Sequence, residues 1–334
     1  MNQNVLINIS QNVSLREGSE GVKNFFRIVY QNQGISTREC AKKLKMPIPI
    51  VAAIKQEAIK IDLVEPGATL RLTEKGKTFC EIELSLSKYQ ENICVNCSGL
   101  KYVIPTDYLP VLEKLRDILN DRPKVDVTVD QAHGTAETAL RRAILALEKG
   151  LMFNKKIALL GDDDYVSVAI MLLQKHLFDK NPPRLTVFDI DYRILKHIQK
   201  ISTELGFDVE TIEYDLRNPL SEDFIGKFDA IFTDPPYTLD GAKLFLIRAN
   251  NLLKNELGKH IFFSFGHKAP KEMIEVQRVV VELGFSFSEI IPSFNQYYGA
   301  AILGNVGQMM IIEKAKIQKK KVVAFDRHIY TKKK

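Results

Sequence analysis

The chain has 334 residues, a length that suggests two domains, and its 45% hydrophobic and 26% charged content is that of an ordinary soluble globular protein. This composition excludes a disordered chain, a collagen and a disulfide scaffold. Lacking both a run of about 18 uncharged apolar residues and a basic-then-apolar leader at Met1 to Ser10, the chain is expected to be cytoplasmic, with no transmembrane helix and no signal peptide. Its four cysteines fit a reducing compartment.

The net charge of +6 is unevenly spread: residues 1–90 carry +4, residues 314–334 carry +8, and residues 91–313 carry −6. A nucleic-acid enzyme normally presents a basic catalytic face. An acidic middle suits a cationic substrate, because fixed negative charge concentrates cations in a cleft.

In chain order, Val22, Phe25, Phe26, Val29 and Tyr30 recur at helical spacing. Ser36 and Glu39 form a helix-start pair, and that helix is expected to run through Leu44. Pro47 opens a third helix to about Lys60, with Val51, Ile54, Ala58 and Ile61 on one face. Leu63 to Leu72 reads as strand, Pro66-Gly67 turn and strand. Three helices and a hairpin predict a winged-helix domain over residues 1–90. Its third helix holds only Lys55 and Lys60 against Glu57, so a packing or dimerising module is favoured over DNA binding.

A connecting segment, 91–150, contains Cys94-Val95-Asn96-Cys97, which reads either as part of a metal site or as a thiol pair in packing. Structural zinc normally takes four ligands, and no metal site is assigned. Two helices follow, Tyr108 to Leu119 and Thr135 to Lys149, flanking Val127 to Gly134.

From residue 155 strands and helices alternate. Strands are expected at Lys156–Leu160, Arg184–Phe188, Val209–Tyr214, Phe228–Thr233 and Lys259–Phe265. Helices are expected at Tyr165–Leu177, Ile194–Leu205 and Leu244–Leu253. The alternation predicts an α/β fold, a Rossmann-like doubly wound and largely parallel sheet over 151–313. Residues 314–334 read as a basic flexible tail with apolar points at Phe325, Ile329 and Tyr330.

Acidic residues fall at the carboxyl ends of four successive predicted strands, where ligands of such sheets bind. They are Gly161-Asp162-Asp163-Asp164, then Asp189, Asp215, and Asp234-Pro235-Pro236-Tyr237. Asp164 and Asp215 also read as helix caps. Asp189, at the end of the second strand, suits ribose hydroxyls. The glycines of a dinucleotide loop are replaced by three aspartates, which would repel a pyrophosphate and so argue against NAD or FAD. They argue less strongly against S-adenosylmethionine, whose amino-acid end carries a carboxylate. Decarboxylated S-adenosylmethionine, a dication, fits the acidic loop.

The Asp-Pro-Pro-Tyr turn resembles one that recurs in methyltransferases that modify exocyclic amines. Its acid and a neighbouring carbonyl accept hydrogen bonds from the attacking nitrogen, the prolines hold them rigid, and Tyr237 can face an ammonium group.

Together, Gly161 to Asp164, Asp234 to Tyr237 and the segment Asp130-Gln131-Ala132-His133-Gly134-Thr135 resemble the branched-chain polyamine synthase family, the N(4)-bis(aminopropyl)spermidine synthases. The N-terminal pattern and the basic tail agree with its layout. The resemblance implies a homodimer that moves aminopropyl groups from decarboxylated S-adenosylmethionine, as co-substrate, to the internal amine of spermidine. No tightly bound cofactor is expected, and nucleic-acid and membrane partners are not. Asp162, Asp163 and Asp234 are the expected catalytic residues, Asp162 or Asp163 lying nearest the attacking nitrogen. Gly161, Asp164, Asp189, Asp215 and Gln131 are expected to hold the donor, and Pro235, Pro236 and Tyr237 the acceptor. Two alternatives stand: an S-adenosylmethionine-dependent amine methyltransferase acting on nucleic acid or protein, and a ligand-sensing regulator whose winged helix binds DNA.

Overall fold

The structure is a computed structural model that describes residues 3–86, 94, 96, 97, 99, 102–178, 180–298, 305–317 and 324–331. The chain divides into two compact units. One comprises 1–99 with 267–274 and 299–306; the other comprises 100–266, 275–298 and 307–334.

In the first unit the helices are α1 (Gln3–Asn12), α2 (Gly18–Gln31), α3 (Thr37–Leu44), α4 (Ile48–Lys60) and the short α5 (Glu74–Thr78). The two short strands β1 (Ile35–Ser36) and β2 (Thr69–Leu70) pair antiparallel. A bridge between Val64 and Leu72 closes the Pro66-Gly67 turn. The apolar positions of α2 set the core: Val22, Phe25, Phe26 and Val29 are fully buried, with Phe26 edge-on to both Phe25 and Phe79. Ser36 and Glu39 form the capping box expected of α3. Lys55 is buried and its ammonium donates to the Gly67 carbonyl, while Lys60 pairs with Glu57. Neither lysine of α4 is therefore an uncommitted surface charge.

The second unit contains α6 (Leu109–Asn120), α7 (Ala136–Glu148), β3 (Lys156–Leu160), α8 (Val166–Leu177), β4 (Arg184–Asp189), α9 (Tyr192–Leu205), β5 (Val209–Glu213), β6 (Ala230–Thr233), α10 (Leu239–Leu252) and β7 (His260–Gly266). Beyond them come α11 (Pro270–Glu282), whose residues 270–274 count with the first unit, then β8 (Phe285–Gln296) and β9 (Val306–Lys314), whose first residue does so as well. The sheet order is β5-β4-β3-β6-β7-β9-β8. β3 to β7 run parallel, and β9 is antiparallel to β7, with Phe263 opposite Met310.

The inner strands β3, β4, β6, β7 and β9 are near-continuous apolar runs because helices cover the sheet. Ile157, Ala158, Leu159 and Leu160 of β3 are buried, as are Met309 to Ile312 of β9. Chain order alone stops at β7; the antiparallel pair β8 and β9 completes the sheet. Lys314, taken as the start of the tail, is the buried last residue of β9, its ammonium bonded to Asn250 Oδ1 at 2.7 Å and lying over the Phe285 ring. No helix among the described residues is long and apolar enough to cross a membrane.

Candidate active site

The reversal of strand order falls between β4-β3 and β6, and the loops leaving these strands converge there. Gly161 turns the chain out of β3 at a φ of 74°, a left-handed conformation open to glycine at no steric cost. Its N–H donates to the Phe188 carbonyl at 2.8 Å. The three aspartates that follow are handled differently.

Asp162 folds back onto the start of α8 and accepts from the N–H groups of Val166 (2.7 Å) and Ser167 (3.2 Å) and from the Ser167 hydroxyl. It satisfies backbone donors that would otherwise be orphaned. Burial nevertheless pushes its carboxyl up to about 7. Asp164 is buried and accepts from the Gly134 N–H and from Arg142 Nη1 at 2.7 Å. Asp163 accepts no hydrogen bond among the described residues. Burial, then the neighbouring charges of Asp164, Asp189, Asp234 and Asp162, hold its carboxyl well above the ordinary range.

At the end of β4, Asp189 accepts from the Asp162 N–H (3.0 Å) and the Asp191 N–H (2.8 Å), and burial pushes it up to about 6. Gln131 donates to Asp191 at 3.2 Å and accepts from the Asp126 N–H at 2.6 Å, joining the 126–135 segment to the loop after β4. Asp215, after β5, is clasped by Arg217 through Nε (3.0 Å) and Nη2 (2.6 Å). Burial works to raise Asp215, but Arg217 overcomes it and holds the carboxyl below its ordinary value. Asp215 is thus tied to an arginine rather than standing in the carboxylate cluster.

After β6, Asp234 accepts from Arg142 Nη2 (2.8 Å) and from the Tyr297 hydroxyl (2.6 Å), and burial pushes it up to about 6. Pro235 and Pro236 are buried, and the Pro236 carbonyl accepts from the Thr238 N–H at 2.7 Å. Thr238 caps α10 through the Gly241 N–H. The Tyr237 hydroxyl donates to that of Tyr297 at 2.8 Å. Its ring meets Phe265 edge-on at 5.2 Å.

Residues 162, 163, 164, 189 and 234 therefore form one carboxylate cluster, with Tyr237 beside it. Arg142, Tyr297 and Asn295 belong to this network and carry no motif. Arg142 had a readable signal: an arginine among Ala139, Leu140, Ala143 and Ile144 on the buried face of α7.

The tail crosses the same loops. The Phe325 N–H donates to the Arg217 carbonyl (3.0 Å), and the Ile329 carbonyl accepts from Thr238 Oγ1 (2.6 Å). Thr331 bonds both oxygens of Asp130, exposed Arg327 pairs with half-buried Asp240 at 3.1 Å, and Ile329 is buried. Cys94 is exposed and Cys97 half-buried; residues 95 and 98 lie outside the described residues. Among the described residues, no three His, Cys, Asp or Glu side chains are placed so that they could hold one metal ion.

The sheet order and the acids at its carboxyl ends define an α/β protein with a mostly parallel, doubly wound sheet, a class that binds its ligands at those ends. Residues 110–332 match the family described as branched-chain polyamine synthase A C-terminal domain. The chain is 33% identical to the N(4)-bis(aminopropyl)spermidine synthase of Thermococcus kodakarensis over 256 residues, 75% of this chain and 70% of that protein. It is 39% identical over 305 residues to an uncharacterized protein of Methanocaldococcus jannaschii, covering 90% and 75% of the two chains. The fold matches the branched-chain polyamine synthase of Thermus thermophilus, solved with N4-aminopropylspermidine and 5'-methylthioadenosine, at a TM-score of 0.79 and 20% identity over 99% of this chain and 98% of that one. The chain belongs to the branched-chain polyamine synthase family.

Proposed function

We propose that the protein transfers aminopropyl groups from decarboxylated S-adenosylmethionine to the internal secondary amine of spermidine, releasing methylthioadenosine. The observation that carries this reading is Asp163, a carboxylate that has no hydrogen-bond donor among the described residues and lies among four other carboxylates. Such a group attracts a cation and takes up a proton readily. The spermidine nitrogen has a free pKa near that of a lysine, about 10.4, and must lose its proton to attack.

In the proposed step the amine lone pair attacks the aminopropyl carbon beside the sulfonium. The carbon–sulfur bond breaks, its electron pair stays on sulfur, and the amine proton passes to Asp163 as general base. Asp234 accepts a hydrogen bond from the attacking nitrogen and orients it, while Tyr237 faces an ammonium group of the acceptor and buried Pro235 and Pro236 hold the turn. Asp162 anchors the loop on α8 and adds to its negative field. Asp189 accepts from the donor ribose, Gln131 supports that loop, and Gly161 lets the backbone approach. Asp164 and Asp215, both tied to arginines, shape the donor pocket without contributing an uncommitted charge to it. The sulfonium already activates the leaving group, so the step calls on no metal.

The donor is the decarboxylated form because an S-adenosylmethionine carboxylate would enter a field of five acids; the methyltransferase alternative has to accommodate that repulsion. The N-terminal unit acts as a winged-helix-type packing module in a cytoplasmic homodimer, in keeping with the committed lysines of α4. The basic tail works as a lid over the acceptor. Incubation of the purified protein with decarboxylated S-adenosylmethionine and spermidine, followed by mass spectrometry, tests the reading. Methylthioadenosine with branched products is expected. Methyl transfer from S-adenosylmethionine, with no aminopropyl product, would overturn it.

A further inference from the structure

We infer that Arg142 is a positioning residue that keeps Asp234 ionised as an acceptor for the attacking amine and thereby leaves the transferred proton to Asp163; this rests on the function proposed for the same site. Arg142 is 3% exposed, so its guanidinium has almost no water to solvate it and depends on its protein partners. Nε donates to Asn295 Oδ1 at 2.9 Å, Nη1 to Asp164 at 2.7 Å, and Nη2 to Asp234 at 2.8 Å and the Tyr297 hydroxyl at 3.2 Å. Asn295 is itself fixed, since its Nδ2 donates to the Gln308 carbonyl at 3.0 Å. The fork geometry lets one cation bridge two carboxylates that lie on different loops.

The division of charge is unequal. Asp234 faces Arg142 from α7, Asp163 and Asp164 from the loop after β3, Tyr297 just past the end of β8, and Tyr237 on its own turn. Two of these, Arg142 and Tyr297, donate to it, and donation to the charged form favours that form. Tyr237 donates in turn to Tyr297, which directs the Tyr297 proton at Asp234. Asp163 lies among the same carboxylates and receives none of these donors. The Arg142 guanidinium, together with the Tyr297 hydroxyl, thus separates two neighbouring acids into an acceptor that stays charged and a base that takes the proton.

The test compares pH profiles of kcat/KM for aminopropyl transfer, with calorimetric spermidine binding across the same range. Substrate ionisation is common to all variants, so differences belong to the protein. In Arg142→Gln, Asp234 protonates at higher pH. The acidic limb moves upward by about one pH unit or more, and activity lost at neutral pH partly returns at alkaline pH. Arg142→Lys, which keeps the charge but cannot bridge both acids, shifts it less. Asp164→Asn removes the competing carboxylate and moves the limb the opposite way; this variant decides the matter if Arg142→Gln does not fold. Wild-type turnover with variant limbs superimposed on the wild type, or with Arg142→Gln and Asp164→Asn shifted in the same direction, overturns the role of Arg142 alone. A wild type that forms no methylthioadenosine at any pH overturns the aminopropyl reading itself.

Discussion

Asp163 and Asp189 are chemically the same side chain, but their surroundings divide their work. Asp163 is raised by burial and by four like charges. Asp163→Asn is expected to lower kcat by at least about 100-fold, the usual span of general-base catalysis, with donor KM little changed; steady-state kinetics check this. Stability gives a second readout. A carboxyl raised in the fold costs stability once the pH exceeds its unfolded value, because the native state binds the extra proton. Asp163→Asn should therefore raise Tm at pH 8 by about 2–4 °C, the effect of roughly 1 kcal/mol in a domain of this size. The gain should vanish near pH 4. A variant equally stabilised at both pH values would contradict the charge argument. Asp189, anchored by two backbone N–H groups, should act mainly on the donor: Asp189→Ala is expected to raise donor KM about tenfold or more while kcat falls less.

At the scale of elements, the site is held by helix starts. Asp162 caps α8, and Thr238 caps α10 immediately after the Asp-Pro-Pro-Tyr turn. Gly241, in the first turn of α10, has no room for a side chain: a Cβ there would lie 2.5 Å from the Pro236 carbonyl oxygen and 2.9 Å from Thr238 Oγ1. Gly241→Ala must push the turn that carries Asp234 and Tyr237. A displacement of about 1 Å in a reacting group can cost 10²-fold, so kcat/KM is expected to fall by roughly that factor. Circular dichroism should show the fold retained. Normal kinetics in a folded Gly241→Ala protein would show that the turn does not need this placement.

For the whole molecule, the charge partition sets a basic tail against an acidic middle. The described tail is held chiefly by buried Ile329 and hydrogen bonds to Asp130, Arg217 and Thr238, with one exposed pair, Arg327–Asp240. Deleting residues 318–334 is expected to change turnover several-fold, as removal of a lid does. Salt screens exposed charges within about 8 Å at physiological ionic strength but does not loosen an apolar anchor. High salt should therefore reproduce only part of the truncation, and Ile329→Ala should reproduce more. Stopped-flow release of methylthioadenosine separates these cases; identical kinetics in full-length and truncated protein would leave the tail a solvated appendage.

Local chemistry determined much of this protein. The apolar spacing of α2, the Ser36–Glu39 box and the alternation from Lys156 to Phe265 depend on contacts close in sequence, and all were legible without coordinates. So were the strand-end acids, because a parallel α/β sheet collects its strand ends at one edge. Tertiary structure decided what each acid contacts. Asp162, Asp163 and Asp164 are adjacent and identical in type; only the placement of the α8 N-terminus and of Arg142 distinguishes a cap, a carboxylate with no donor among the described residues, and an ion-pair partner. Arg142 and Tyr297 lie 155 residues apart, and their meeting at Asp234 depends on β8 and β9 closing the sheet. Those two strands escaped the chain-order reading because they break the strand–helix alternation that revealed the others. Pairing across the sheet, rather than any local pattern, brings Tyr297 to the carboxylates.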